Sequence, residues 1–214
     1  MAEEFFMFDS VGADREVTAA DFAKYYHELL TNGVFYRNNL PSLKVSKGVG
    51  LVSSVEIGAA FAEGYLYRNT APIELTHATG NASFPRIDRV VIRLNRNIAN
   101  RDIRVVVKEG VPATTPLVPT LERNDLIYEL SLAQVRVNAG TTVIATVTDE
   151  RLDQSLCGVV SSMVQVPTDV FQAEWDDFIA SIQTEAPALG GMMISVQSTA
   201  PTNPKDKDIW IDTN

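Results

Sequence analysis

Between about Leu43 and Thr148 the chain breaks into short runs rich in β-branched residues, each ended by Gly, Asn or Pro, and this punctuation constrains the fold more than any other feature. The runs are Gly50 to Ile57, Ala59 to Arg68, Arg89 to Leu94, Ile103 to Lys108, Leu126 to Val137 and Val143 to Val147. Their length and spacing predict a mainly β fold with helices (α+β), built on an antiparallel, sandwich-like domain. In Val90 to Leu94 and Ile103 to Lys108, apolar residues alternate with Arg93, Arg104 and Lys108, and the turn-rich Asn95 to Arg101 between them predicts a hairpin. A second hairpin is expected where Asn138-Ala139-Gly140 turns the alternating run Tyr128 to Val137 into Thr141 to Val147. Val111 to Pro119 holds three prolines, each lacking a backbone donor, and is expected to be an extended surface connection. Arg86, Arg89, Arg93, Arg96, Arg101 and Arg104 read as one solvated sheet face, which a hydrophobic-in, polar-out alternation requires.

Two helical patterns flank the β region. Phe22, Tyr25, Tyr26, Leu29 and Leu30 follow the i, i+3, i+4, i+7, i+8 spacing of one apolar face, so an amphipathic helix is predicted over Asp14 to Gly33. Thr18 or Asp21 would cap its start, Asn32-Gly33 would end it, and its apolar face would cover the sheet. A second helix is expected to begin at Pro167-Thr168-Asp169, with Thr168 as cap, and to end before Pro187. Phe171, Trp175, Phe178 and Ile182 recur at steps of four, three and four, the a/d spacing of a coiled coil, and Ile179 widens the stripe. A helix this short is unstable alone in water, so it must pack on the β domain or pair with copies of itself. These five residues are the candidate oligomerisation surface. Asp208, Ile209, Trp210, Ile211 and Asp212 alternate like a strand that lacks an obvious partner, and they are a candidate for addition to a neighbouring chain. The expected organisation is therefore a β-rich docking domain over 1–158, a linker and oligomerisation helix over 159–189, and an extended segment over 190–214.

Charge and rare residues narrow the chemistry. A formal net charge of −9 repels a phosphate backbone, which argues against nucleic acid as a partner. No apolar stretch approaches the roughly 20 residues that span a bilayer, so membrane insertion is not expected. The acidic start Met1-Ala2-Glu3-Glu4 predicts synthesis in a host cytoplasm without a signal peptide. Cys157 is the single cysteine and sits between Leu156 and Gly158, which suits a buried inert thiol. His27 reads as a residue flanking the first helix face and His77 as a solvated loop histidine. A serine-hydrolase triad could nominate His77, but no Gly-x-Ser-x-Gly turn exposes a nucleophile. Gly48-Val49-Gly50 lacks the third glycine and the helix of a dinucleotide loop. Asp149, Glu150 and Asp153, like Asp206, Asp208 and Asp212, read as solvated surface charge. No catalytic residue, metal or cofactor is expected.

Several segments resemble baseplate and tail-fibre adaptor proteins of tailed bacteriophages that infect Gram-positive hosts. They are Gly64 to Asn69, Ile87 to Leu94, Val107 to Gly110 with the prolines that follow, and Tyr128 to Val135 leading to Thr148 to Arg151, with a looser echo in Pro201 to Pro204 and Asp208 to Asp212. The resemblance implies a non-enzymatic virion structural protein: a β domain that docks on the tail, a helix through which copies associate, usually as trimers, and contacts to other tail or baseplate proteins. A reading from another class is a carbohydrate-binding module that stacks host cell-wall glycans on Tyr65, Tyr67 and Trp210.

Overall fold

The structure is a computed structural model that describes residues 11–12, 16–164, 169–188, 194–196, 199–202 and 209–211. The chain divides into two units, Met1–Val164 and Gln165–Asn214. The boundary follows Val164 rather than Gly158 because residues 159–163 are bound back to the β domain. Val159 bridges Val34, Ser162 bridges Leu30, and the Met163 amide donates to the Leu29 carbonyl.

The first helix, α1 (Ala19–His27), opens at Thr18 with a reciprocal cap: the Thr18 hydroxyl accepts from the Asp21 amide and the Asp21 carboxylate accepts from the Thr18 amide. It stops well before Gly33. The Leu29 carbonyl and the Thr31 amide instead hydrogen-bond the 161–163 strap, with Leu30 opposite Ser162 between them, so tertiary pairing overrides the helical pattern. The apolar face is also less covered than its spacing predicts. Only Ala23 is buried, whereas Phe22, Tyr25 and Tyr26 each stay nearly half exposed.

Short antiparallel strands follow. β1 (Gly33–Val34), β2 (Tyr36–Arg37), β3 (Leu40–Pro41), β4 (Val45–Lys47) and β5 (Val52–Val55) lead to β6 (Gly58–Ala62), β7 (Tyr65–Asn69) and β8 (Ile73–Thr76). They form a β1-β6-β7 sheet, a β4-β5-β8 sheet and a β2-β3 ladder. Gly64, in the β6–β7 turn, has φ +80°, and a Cβ there would lie 1.8 Å from the Ala23 carbonyl oxygen, so only glycine lets α1 approach this turn.

The largest sheet has the order β10-β9-β11-β12, made of β9 (Arg86–Asn95), β10 (Asp102–Lys108), β11 (Ile127–Val137) and β12 (Thr146–Asp149). The expected β9–β10 hairpin forms with Ile92 opposite Val105. The second hairpin is looser than expected, because only Thr146–Asp149 pairs with β11. β11 carries a bulge: Ser131 faces Val91 and Ala133 faces Val90, leaving Leu132 as the extra residue. Leu130 before the bulge and Ala133 and Val135 after it all reach the core, which also contains Val34, Val55, Val90, Ile92 and Leu94.

The opposite face of this sheet is not the solvated arginine face that alternation predicts. Arg86 and Arg89 are buried, and Arg86 belongs to the core-facing set of β9. Arg89 and Arg93 lie on the outer face, where the proline-rich segment after Val111 is tied down. The Arg89 guanidinium donates to the Pro119 carbonyl at 2.7 Å, and the Glu122 amide donates to the Glu129 carboxylate at 2.7 Å. Arg101 and Arg104 do remain exposed.

In the second unit, α2 (Asp169–Ala188) is followed by β13 (Ile194–Val196), which pairs in parallel with β14 (Ile209–Ile211). The helix continues past its expected end, with Pro187 in its last turn, where a missing donor removes a single intrahelical bond. The proposed cap Thr168 lies outside the described residues. No described helix is long and apolar enough to cross a membrane.

Candidate functional site

The stripe predicted on α2 is built from residues that the helix places on one side at about 100° per residue. Phe171 is 77% exposed, Trp175 57% and Phe178 52%, while Ile179 is half-buried. The Trp175 and Phe178 rings touch, with centroids 5.8 Å apart. Ile182 lies on the same helix, but its side chain is outside the described residues. Burying a ring of this size is worth roughly 1.5–3 kcal/mol, so three rings left in water are a large unused driving force. The charged residues of the helix are all carboxylates, Asp169, Glu174, Asp176, Asp177 and Glu185. No Lys, Arg or His occurs between Arg151 and Lys205.

The strand expected at the end of the chain forms over Ile209–Ile211 and finds a partner within the chain: Trp210 stands opposite Ser195. Asp208 and Asp212 lie outside the described residues. Of the residues considered for sugar stacking, Tyr67 is buried in the core and Tyr65 packs against it, so this strand face is turned inward. Trp210 is 43% exposed.

Sequence reasoning missed a polar constellation inside the β domain. His77 is not a solvated loop residue: it is buried, with Nδ1 2.8 Å from the Asp88 carboxylate and Nε2 2.9 Å from the Ser53 hydroxyl. Asp88 also accepts from Arg86 Nε at 2.8 Å and from the Gly110 amide at 3.0 Å. Arg86 reaches on to the Ala78 and Thr79 carbonyls. Burial pushes the Asp88 carboxyl up, but the bonds from His77, Arg86 and Gly110 outweigh it and hold the group below the ordinary carboxylate range.

Ser53, His77 and Asp88 thus stand in the order of a hydrolase relay. With the proton on Nδ1 directed at Asp88, Nε2 accepts from the Ser53 hydroxyl. Relay chemistry also needs an exposed nucleophile beside donors for an oxyanion, and Ser53 is fully buried within β5. In this arrangement the three side chains join strands of two sheets through satisfied hydrogen bonds. Comparison with protein families, with curated proteins and with solved structures gives no match for this chain.

Two further buried clusters sit on the outer face of the large sheet. Glu129 is fully buried and pairs with Arg93 at 2.7 Å and Lys108 at 2.8 Å. Burial raises its carboxyl, yet Lys108, the Glu122 amide and Arg93 together hold it low. Glu150, expected at the surface, is buried and bonds Arg89 at 3.1 Å as well as Ser131 and Gln134. Beside it Arg151 is buried, pairs with Asp149 and donates to the Pro41 and Ser42 carbonyls. Cys157 is buried as its context predicts, and loss of solvent pushes its thiol up to about 12, so it is not a nucleophile at neutral pH. Among the described residues no three His, Cys, Asp or Glu side chains converge as metal ligands.

Proposed function

We propose that this chain is a non-catalytic structural subunit of a phage tail baseplate or tail fibre, acting as an oligomeric adaptor between the tail and the host-attachment apparatus. The sandwich-like β domain serves as the docking body, and α2 joins copies of the chain, with a trimer favoured. The observation that carries the reading is the exposure of Phe171, Trp175 and Phe178 on one short helix, which sister copies would bury together with Ile179 and Ile182. Anchors of this type dominate interface energetics, and cyclic symmetry lets one stripe serve every copy. The phage assignment rests on the resemblance of the segments that form β7, β9 and β11.

Light scattering on the intact chain tests the assembly. The wild type should have a mass of three protomers, and Trp175→Asp with Ile179→Asp should reduce it to one. An unchanged mass in the double variant would place the interface elsewhere, and a monomeric wild type would remove the adaptor reading. Immunogold labelling of virions with antibody raised against the chain tests the location, with label expected at the tail and its absence there counting against the assignment.

A further inference from the structure

A second unpartnered surface lies in the β domain, at the start of α1. A cleft of about 420 Å³ there is walled by Ala20, Tyr65, Leu94 and Ile103, and it is also lined by Arg96 and Arg101. Asp102 shares this lining, but its carboxylate is engaged by Arg104 at 2.6 Å, so the unbalanced charge is positive. A smaller cavity of about 150 Å³ shares Ala20, Tyr65 and Arg96 with the cleft and adds His27. The one carboxylate of that cavity, Glu63, accepts from the Asn32 amide at 2.7 Å. Both Arg96 Nε and His27 Nδ1 are shielded from water with no hydrogen-bond partner, an arrangement that costs free energy until an acceptor or donor arrives. The surface is therefore apolar, cationic and polar-unsatisfied at once.

The sequence contains a segment of complementary character. Glu3-Glu4-Phe5-Phe6-Met7-Phe8-Asp9 sets four consecutive large apolar residues between carboxylates. We propose that the cleft is the docking seat of this acidic aromatic segment of the same chain, its rings against Tyr65, Leu94 and Ile103 and its carboxylates toward Arg96 and Arg101. Reach is no obstacle. Ten Cα-to-Cα steps lead from Asp9 to Ala19, which itself lines the cleft, and an extended chain of that length spans about 33 Å. Attachment in cis also gives the segment a high effective concentration at its seat, so modest contacts suffice. The inference is independent of the role assigned to α2.

The test uses the full chain and a fluorescein-labelled peptide of residues 1–12, followed by anisotropy. In a Phe5→Ser, Phe6→Ser, Phe8→Ser variant the seat is vacated, and the peptide should bind saturably. Wild type should bind it at least tenfold more weakly, because its own segment competes. Adding Ala20→Trp and Arg101→Glu, two exposed positions on the cleft, to the triple variant should weaken binding at least tenfold. Amide hydrogen exchange at Leu94 and Ile103 should be several-fold faster in the triple variant than in wild type, a readout that leaves the cleft unaltered. No binding to the triple variant, binding insensitive to the cleft changes, or unchanged exchange would overturn the proposal. Equal binding to wild type and triple variant would also overturn it, since the seat would then be filled from another copy.

Discussion

The two units of this chain invert the usual rule of what lies inside and what lies outside. In the first, Arg86, Asp88, Arg89, Glu129, Glu150 and Arg151 are buried, and each has charged or hydrogen-bonding partners within the unit. In the second, Phe171, Trp175 and Phe178 face water on a helix without a cation. Buried charge is tolerated only when paired with an opposite charge or with hydrogen-bond partners, and large exposed rings are stable in assembly only when something covers them. One unit thus answers its buried charges with its own groups, and the other presents rings that its described residues leave uncovered.

The contrast can be broken most forcefully at Asp88. Replacing it with Ala leaves buried Arg86 with only the exposed Glu109 carboxylate, 3.8 Å away, as counter-charge, and urea unfolding of the β domain should show a loss of about 3–5 kcal/mol. A loss below about 1 kcal/mol would mean that the constellation contributes little to holding its two sheets. On the other side of the comparison, Trp175→Ala should leave that unfolding transition unmoved and weaken self-association by about 2 kcal/mol, read from sedimentation equilibrium. A shift of the β-domain transition instead would show that the two units share an interface.

Acid sharpens the same division. Asp88 and Glu129 have folded-state carboxyls held below their ordinary values of 3.8 and 4.5, so the unfolded chain takes up protons first as pH falls. Their stabilisation is complete above those values and is lost as pH drops through the lowered folded ones. Circular dichroism should therefore show a β domain whose urea midpoint is flat from pH 7 to about 5 and declines below about 4.5. The decline should shrink in Glu129→Gln. The smallest expected effect is at the α1 cap, where Thr18→Ala should cost about 1 kcal/mol of local stability and raise exchange in the first turn without altering oligomer mass.

Much of this arrangement is legible in the sequence, and the parts that are not share a physical cause. The β9–β10 hairpin and the aromatic stripe on α2 follow from local period, which neighbours seldom override when it is sustained. Alternation along β9 correctly separates Ile92 from Arg93, but it cannot say what lies on each side. Arg89 looks solvated until Pro119 and Glu150 are found against it, residues 30 and 61 positions away. His77 presents the same difficulty, since its turn-like context gives no hint that Ser53 and Asp88 close around the ring. The end of α1 departs from the local pattern because Leu29 and Leu30 fit a helix by spacing, whereas their carbonyl and bridge partners lie beyond residue 160. A cue for the buried charges does exist in retrospect. Opposite signs placed on paired positions, such as Arg93 facing Glu129, are expected of a covered face more than of a solvated one.

The bulge at Leu132 has a consequence for how this protein can vary. Upstream of it the even-numbered side chains of β11 point inward, and downstream the odd-numbered ones do. Deleting Leu132 would leave Ser131 opposite Val91 and Ala133 opposite Val90 in an unbroken alternation, so Ala133, Val135 and Val137 would stay inward, whereas deleting any other single position would turn the part of the strand beyond it inside out. Single-residue deletions along this strand should therefore keep the register only at Leu132, whereas point replacements that respect volume should be tolerated. A deep mutational library scored for single-codon deletions would register that parity directly.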